Sequence, residues 1–141
     1  MAKWMAMMLL VTSGAMADSY QCVGEQTTGF AYNQISGDWY RDDSQIQGSY
    51  LVSKAQGTEA KQFAYVVTAI SDPDLGYATC RNAFDEQGAL SCLGLAFNLE
   101  MNRATGRMIV IQKGHFLEGT TGENRLNPDS VVAEIGKCTP F

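Results

Sequence analysis

The sequence lacks most of the residues and motifs on which catalysis and metal binding depend. It has one histidine, His115, and it contains no C-x-x-C pair, no G-x-S-x-G string and no glycine-rich phosphate loop. Any Ser-His-Asp or Cys-His arrangement would have to use His115, and a histidine-rich metal site is excluded. The sequence therefore predicts no catalytic residue, no metal and no cofactor. A hydrolase that uses His115 with an acid or a serine is the alternative.

Charge and long apolar runs are also scarce. Charged residues make up 18% of the 141 residues, and 15 acidic against 10 basic side chains leave a net charge of −5. An acidic surface repels phosphate backbones, which makes nucleic acid a poor partner. Hydrophobic residues make up 45%, an ordinary globular balance, and the length suits a single domain.

The one long apolar stretch lies at the amino terminus. Lys3 precedes an apolar run that leads to Ala15-Met16-Ala17, an A-x-A cleavage pattern. The stretch is shorter than the roughly 20 apolar residues that span a bilayer, and no later segment is long enough either. Residues 1–17 are therefore predicted to be a cleaved signal peptide, with no transmembrane segment and a periplasmic or secreted product.

Four cysteines follow this leader, at positions 22, 80, 92 and 138. An even number in an exported chain predicts two disulfides, for which three pairings are possible. Cys80 and Cys92 flank a turn-like Asp-Glu-Gln-Gly sequence, so they can face each other across two adjacent strands. The favoured pairing is therefore Cys80–Cys92 with Cys22–Cys138, the second of which would tie the first strand to the last.

Short segments of strand composition fill the rest of the chain between glycine, asparagine and aspartate turn signals. A short helix could lie in residues 54–61, and Glu118–Asp129 has the composition of a surface loop. This pattern predicts one all-β domain over residues 18–141, a single antiparallel meander of about eight strands that forms a small barrel or a sandwich. The strand candidates are Tyr20–Val23, Gly29–Tyr32, Trp39–Tyr40, Tyr50–Val52, Gln62–Ile70, Tyr77–Phe84, Ala89–Leu95, Ala96–Met101, Arg107–Lys113 and Val131–Ile135.

Four residues are candidates for a binding surface: Trp39, Tyr40, Arg107 and His115. Trp39 and Tyr40 stand in a G-x-W-Y string similar to the one that opens the first strand of lipocalins, but the other lipocalin signatures are missing. Each candidate also has an ordinary structural interpretation, and Trp39 in particular is expected to be the largest core aromatic.

Taken in order, several short motifs resemble a group of small exported proteobacterial proteins that have no assigned function. The resemblance covers nearly the whole chain after the leader, and its most specific part is the terminal Glu134–Cys138 (EIGKC). It implies an exported, cysteine-containing β-rich domain and transfers no catalytic residue. The other matching positions are Cys22, Gly29–Asn33, Trp39, Tyr50–Val52, Cys80, Leu90–Gly94, Phe97, Met101-Asn102 and Gly106-Arg107.

These observations favour a non-catalytic periplasmic or secreted binding domain. Its partner would be another exported protein, a basic one on grounds of charge, or a small apolar ligand. A structural component of an envelope or virion surface is a further alternative.

Overall fold

A computed structural model describes residues 18–33, 35–43, 47–113 and 130–141. The predicted leader, residues 1–17, lies outside the described residues. The predicted loop Glu118–Asp129 and His115 also lie outside them.

The described residues form nine antiparallel strands, of which eight close into a barrel. Each of the eight pairs with its neighbours around the barrel, and closure comes from pairing of the first strand with the last. The prediction of an all-β antiparallel meander is confirmed, and of its two versions the barrel is correct. The strands are β1 Ser19–Asn33, β2 Asp38–Arg41, β3 Ser49–Lys54, β4 Tyr65–Ala69, β5 Tyr77–Cys80, β6 Ala89–Gly94, β7 Phe97–Asn102, β8 Arg107–Gln112 and β9 Ser130–Pro140.

The barrel interior follows from the alternation of side chains along each strand. On β7, for example, Phe97, Leu99 and Met101 point inward, as their spacing predicts, while Glu100 is exposed. The inward side chains form one apolar core, and most of them have no exposed surface: Tyr20, Cys22, Tyr50, Val52, Val67, Ala69, Ala78, Cys80, Leu90, Cys92, Phe97, Leu99, Met101, Met108, Val110 and Cys138.

Both predicted disulfides are present, and no cysteine is free. Cys22–Cys138 links β1 to β9 at the seam that closes the barrel, and the two cysteines are direct partners in the strand register. Cys80–Cys92 links β5 to β6, which share only two register pairs, Ala78 with Gly94 and Thr79 with Leu93. The second disulfide therefore holds together the most weakly paired neighbours of the barrel.

The first strand is longer than predicted. The two short candidates Tyr20–Val23 and Gly29–Tyr32 are parts of one strand, Ser19–Asn33, with an irregularity between Gly24 and Gln26 where the register against β9 shifts. Such a bulge lets a strand bend without losing its partner. Beyond the bulge, the far end of β1 pairs with β2. Strand β2 pairs with no other strand and is the one that lies outside the closed ring.

Other boundaries also differ from the sequence prediction. The fourth strand covers only Tyr65–Ala69 of the predicted Gln62–Ile70, and the fifth ends at Cys80 rather than at Phe84. The last strand runs to Pro140, well past the predicted Ile135. The predicted helix in residues 54–61 reduces to one 3-10 turn, Glu59–Lys61, after Gly57, whose φ of +59° interrupts any helix.

Within the part of the chain that the structure describes, no helix combines the length and the apolar character needed to cross a bilayer.

Candidate functional site

The structure does not bring the predicted binding residues together. On β2, Tyr40 lies at the level of Ser130 on β9 and Trp39 lies one residue beyond it, whereas Arg107 is the register partner of Lys137, seven residues along β9 from Ser130. At about 3.3 Å per residue, Arg107 is roughly 20 Å from the level of β2. His115, the fourth candidate, is outside the described residues.

Trp39 is not the core aromatic that was expected. It is 45% exposed, and it shares the outer face of the sheet with Tyr32, whose ring centroid lies 5.3 Å away. The fully buried aromatics among the described residues are instead Tyr50 and Phe97, with ring centroids 5.6 Å apart. Because β2 lies outside the closed ring, Trp39 also differs from a lipocalin tryptophan, which plugs the closed end of the barrel.

One surface feature of the described residues is a band of apolar side chains on the outside of the barrel. Register pairs place Ile109 beside Ile135 and Ile111 beside Ala133 on β8 and β9, and the next row pairs Val131 with Phe30 on β1. Phe30 and Ile135 are each 52% exposed. We call these six residues the apolar band: Phe30, Ile109, Ile111, Val131, Ala133 and Ile135.

Tyr32 and Trp39 continue the apolar band onto β2 at the end that contains Phe30, which we call its upper end. With rows about 7 Å apart and strands about 4.8 Å apart, the band is roughly 25 Å long and 10 Å wide. Contiguous exposed apolar surface of this kind is uncommon on a soluble monomer and marks interaction sites.

Polar and charged side chains surround the apolar band. Arg41 lies opposite Phe30, with its Nε 2.9 Å from an Asp43 carboxylate oxygen. This hydrogen bond from Arg41, together with one from Thr28, lowers the pKa of Asp43. An apolar centre with a polar rim is the usual anatomy of a protein interface. The other rim residues are Gln26 and Lys137 on the β1 and β9 side, and Asn98, Glu100 and Arg107 on the β7 and β8 side.

Inside the barrel, one carboxyl group is completely buried. Glu134 on β9 has no exposed surface, and its Oε1 accepts a hydrogen bond from the backbone N–H of Gly48 at 2.7 Å. The hydroxyl of Tyr50 lies 3.1 Å from Oε2 and donates to it. Gln112 in turn donates its side-chain amide to the Tyr50 oxygen at 2.9 Å. The four groups form a polar chain that crosses the upper part of an otherwise apolar core.

Burial raises the pKa of Glu134, since a charged carboxylate is poorly solvated there, and the two hydrogen bonds only partly oppose this effect. Burial also raises the pKa of Tyr50, and the neighbouring Glu134 carboxylate adds to the shift. Within the described residues no lysine or arginine pairs with Glu134. Both carboxylate oxygens are engaged by the barrel itself, which makes the group a structural tie between β9 and the chain segment that precedes β3.

Glycines provide the space for this buried carboxyl group. A Cβ atom on Gly24 would lie 1.5 Å from Glu134 Oε1, and one on Gly48 would lie 2.4 Å from the Tyr50 hydroxyl. A side chain at either position would therefore displace the polar chain.

The structure offers no metal centre in the ranges it describes, since no three His, Cys, Asp or Glu side chains come together there. Two aspartates in the loops on either side of β5 stabilise local turns. Asp72 accepts from the N–H of Asp74, and Asp85 accepts from the N–H groups of Gln87 and Ala89.

Sequence reasoning missed the apolar band because its members are spread over strands that are far apart in the chain. It also missed Glu134, although a signal existed. Cys138 had been predicted to form a disulfide, and positions 136 and 134 share its face of the strand.

A groove of about 600 Å³ lies at the end of the apolar band that contains Ile109 and Ile135, which we call its lower end. The groove runs over the outer surface of β6, β7 and β8 and is bounded by the segment that links β5 to β6. Arg107 and Ile109 line it, so the groove and the apolar band meet at Ile109.

Comparison of the chain with protein-family profiles, curated protein sequences and solved structures found no match in any of the three.

Proposed function

We propose that this protein is an exported, non-catalytic binding domain that recognises a protein partner through the apolar band. The observation that carries the proposal is the band itself, an exposed apolar strip with a charged rim on a rigid barrel. A standard interface buries about 800 Å² on each partner, and a band of roughly 25 by 10 Å with its rim is suited to form the centre of such a surface.

The interior of the barrel favours a protein partner over a small apolar ligand. The inward side chains from the two disulfides up to the Glu134 chain are almost all fully buried and pack on one another. An eight-stranded barrel has an interior that side chains can fill completely, or that can hold one small ligand. Here side chains and disulfide sulfurs occupy that space.

Export is supported by the sulfur chemistry. All four cysteines are paired, and disulfides persist in oxidising compartments such as the periplasm and the extracellular medium. A rigid, disulfide-closed scaffold also suits recognition, because the surface does not have to be ordered when the partner binds.

In the test, three purified forms of this protein are each used to capture a partner from envelope and medium fractions of the producing cells. The wild type is compared with Ile135→Glu, which places a charge in the row of the apolar band that contains Ile109, and with Leu95→Glu, a matched control. Leu95 is 94% exposed in the turn between β6 and β7.

We expect the wild type and Leu95→Glu to retain the same partner, and Ile135→Glu to retain at least tenfold less, because an uncompensated carboxylate would have to be buried. Circular dichroism of all three proteins checks that the fold is unchanged. Equal retention by all three proteins would refute the role of the apolar band.

A further inference from the structure

Two cations face each other at the lower end of the apolar band. Arg107 on β8 is the direct register partner of Lys137 on β9, and both side chains point outward. Like charges directly opposite each other in an antiparallel pair are destabilising. Lys137 reduces the repulsion by pairing with Glu25 on β1, at 3.1 Å. Arg107 makes no side-chain hydrogen bond or ion pair with any described residue; its backbone N–H donates to the Thr105 hydroxyl.

Arg107 lines the groove described above. The floor of the groove is made by outward side chains of three neighbouring strands, Ser91, Glu100 and Ile109, and Asn82 and Ala83 form one wall. Asp85 also lines the groove, and two backbone N–H groups donate to one of its carboxylate oxygens, Oδ1, which fixes it in the turn.

Glu100 is the carboxylate among the three floor side chains. It lies diagonally across the β7–β8 register from Arg107, and no ion pair joins the two in the described structure. Diagonal neighbours of this kind have Cα atoms about 7–8 Å apart. The groove therefore presents a cation and an anion at a spacing that matches residues i and i+2 of an extended chain, about 7 Å.

We propose that this groove takes an extended segment of the protein partner in which an acidic residue and a basic residue are separated by one residue. The acidic side chain binds the Arg107 guanidinium, whose planar donors suit a carboxylate. The basic side chain reaches Glu100, and the methylene stem of that side chain packs on Ile109, the register partner of Glu100. The inference rests on the proposed function, because Ile109 belongs both to the groove and to the apolar band.

The local charge decides the first contact. The whole chain is acidic, which alone would favour a basic partner, but the end of the apolar band at Arg107 and Lys137 is positive. An acidic group of the partner at this end removes the repulsion between the two cations, so the binding energy includes relief of a strain that the free protein carries.

The test is an NMR titration of the isotopically labelled domain with two synthetic peptides. The first is acetyl-Val-Glu-Ile-Lys-Val-amide, and the second replaces its glutamate with glutamine. We expect the first peptide to shift the backbone amides of Ser91, Glu100 and Ile109 in a saturable manner, and the second to bind at least tenfold more weakly, equivalent to about 1.4 kcal/mol.

Protein variants test the same contact from the other side. Arg107→Gln should weaken binding of the glutamate peptide at least tenfold, whereas Lys61→Gln, which removes an exposed cation that does not line the groove, should leave it unchanged. Equal binding of the two peptides, an unaffected Arg107→Gln variant, or no saturable shift at the groove would each overturn the inference. If decanoate shifts the groove amides and the peptide does not, the groove binds a fatty acid and the inference is likewise overturned.

The two proposals can fail separately. Loss of partner capture by Ile135→Glu together with an unaffected Arg107→Gln variant in both assays would retain the proposed function and reject the groove. Peptide binding that depends on Arg107, with partner capture unchanged in Ile135→Glu, would retain the groove and reject the apolar band.

Discussion

Replacement of Glu134 by glutamine should remove the pH-dependent loss of stability that this carboxyl group causes. The substitution keeps the size and shape of the side chain and one acceptor oxygen for the Gly48 N–H, and it removes the charge. Its NH2 group cannot accept from the Tyr50 hydroxyl, which adds a pH-independent cost of about 1–3 kcal/mol. In the wild type, burial raises the pKa of this carboxyl group above its ordinary value of 4.5, and no described cation compensates for the charge.

The sign follows from the number of protons that each state binds. Because the folded protein holds the Glu134 proton more tightly than the unfolded chain does, the contribution of this group to the free energy of unfolding is complete below about pH 4.5. It is then lost as the pH rises through the folded-state pKa. Each unit by which the pKa is raised corresponds to about 1.4 kcal/mol. Relative to Glu134→Gln, the unfolding free energy of the wild type should therefore fall by about 1.4 kcal/mol for each unit by which the pKa of Glu134 is raised. Above the folded-state pKa, the difference between the two proteins should become constant.

Alanine at the same position has the opposite effect. It leaves the Gly48 N–H and the Tyr50 hydroxyl without their acceptor, and a buried group without a partner costs about 1–3 kcal/mol. Glu134→Ala should therefore be destabilised by about 2–6 kcal/mol for the two groups, before any cavity effect.

The assay is urea unfolding, followed by circular dichroism between pH 4 and 8 with the disulfides intact. Glu100→Gln, a substitution on the exposed face of β7, is the matched control, and its unfolding free energy should run parallel to that of the wild type. If the curves for the wild type and Glu134→Gln are also parallel across this range, the carboxyl group is not desolvated in the folded protein and the reasoning fails.

Three further predictions concern the closure of the barrel, the space around the buried carboxyl group and the exposed tryptophan. Replacing Cys22 and Cys138 by alanine should lower the unfolding free energy by about 5 kcal/mol, and replacing Cys80 and Cys92 should lower it by about 3 kcal/mol, because the sequence separations are 116 and 12. Urea unfolding measures both losses, and equal losses would contradict the dependence on loop length. Gly24→Ala should be strongly destabilising in the wild type and much milder in the Glu134→Ala background, because its Cβ would overlap Oε1 of that carboxyl group; additive losses in a double-mutant cycle would rule out the clash. Trp39→Ala should change the unfolding free energy by less than about 1 kcal/mol, since the side chain is 45% exposed and lies on the strand outside the ring, while it weakens partner capture; a loss above about 3 kcal/mol would show that Trp39 is a core residue.

The hairpins in the second half of the chain could be predicted from the sequence because they depend on neighbouring residues. The alternation of Phe97, Leu99 and Met101 defines the inner face of β7, and Gly106, with a φ of +69°, ends the turn that leads into β8. The pairing of Cys80 with Cys92 followed from the same local logic, since the turn between them is short.

The first strand and its contact with the last could not be predicted in the same way. The polar residues around the bulge at Glu25 resemble a break between two strands, yet the strand continues because eleven register pairs with β9 support it. Those pairs join residues more than 90 positions apart, and no local pattern indicates them. Only the Cys22–Cys138 pairing pointed to this contact in advance.

The candidate site was predicted least well. Trp39 and Arg107 were named as candidates for one binding surface, but they lie about 20 Å apart along the sheet, and Trp39 is exposed where a core position was expected. The apolar band exists because closure of the barrel places β1 beside β9 and β8. Its residues are separated by up to 105 positions, from Phe30 to Ile135, so their proximity is a property of the fold.

The central claim is that the apolar band contacts a protein partner, and site-specific photocrosslinking in the producing cells tests it most directly. A photoreactive phenylalanine derivative is placed at position 135 in the apolar band and, separately, at position 95 in the exposed β6–β7 turn. The account predicts one discrete crosslinked adduct from position 135 and none from position 95. The absence of an adduct at position 135, or the same adduct from both positions, would contradict it.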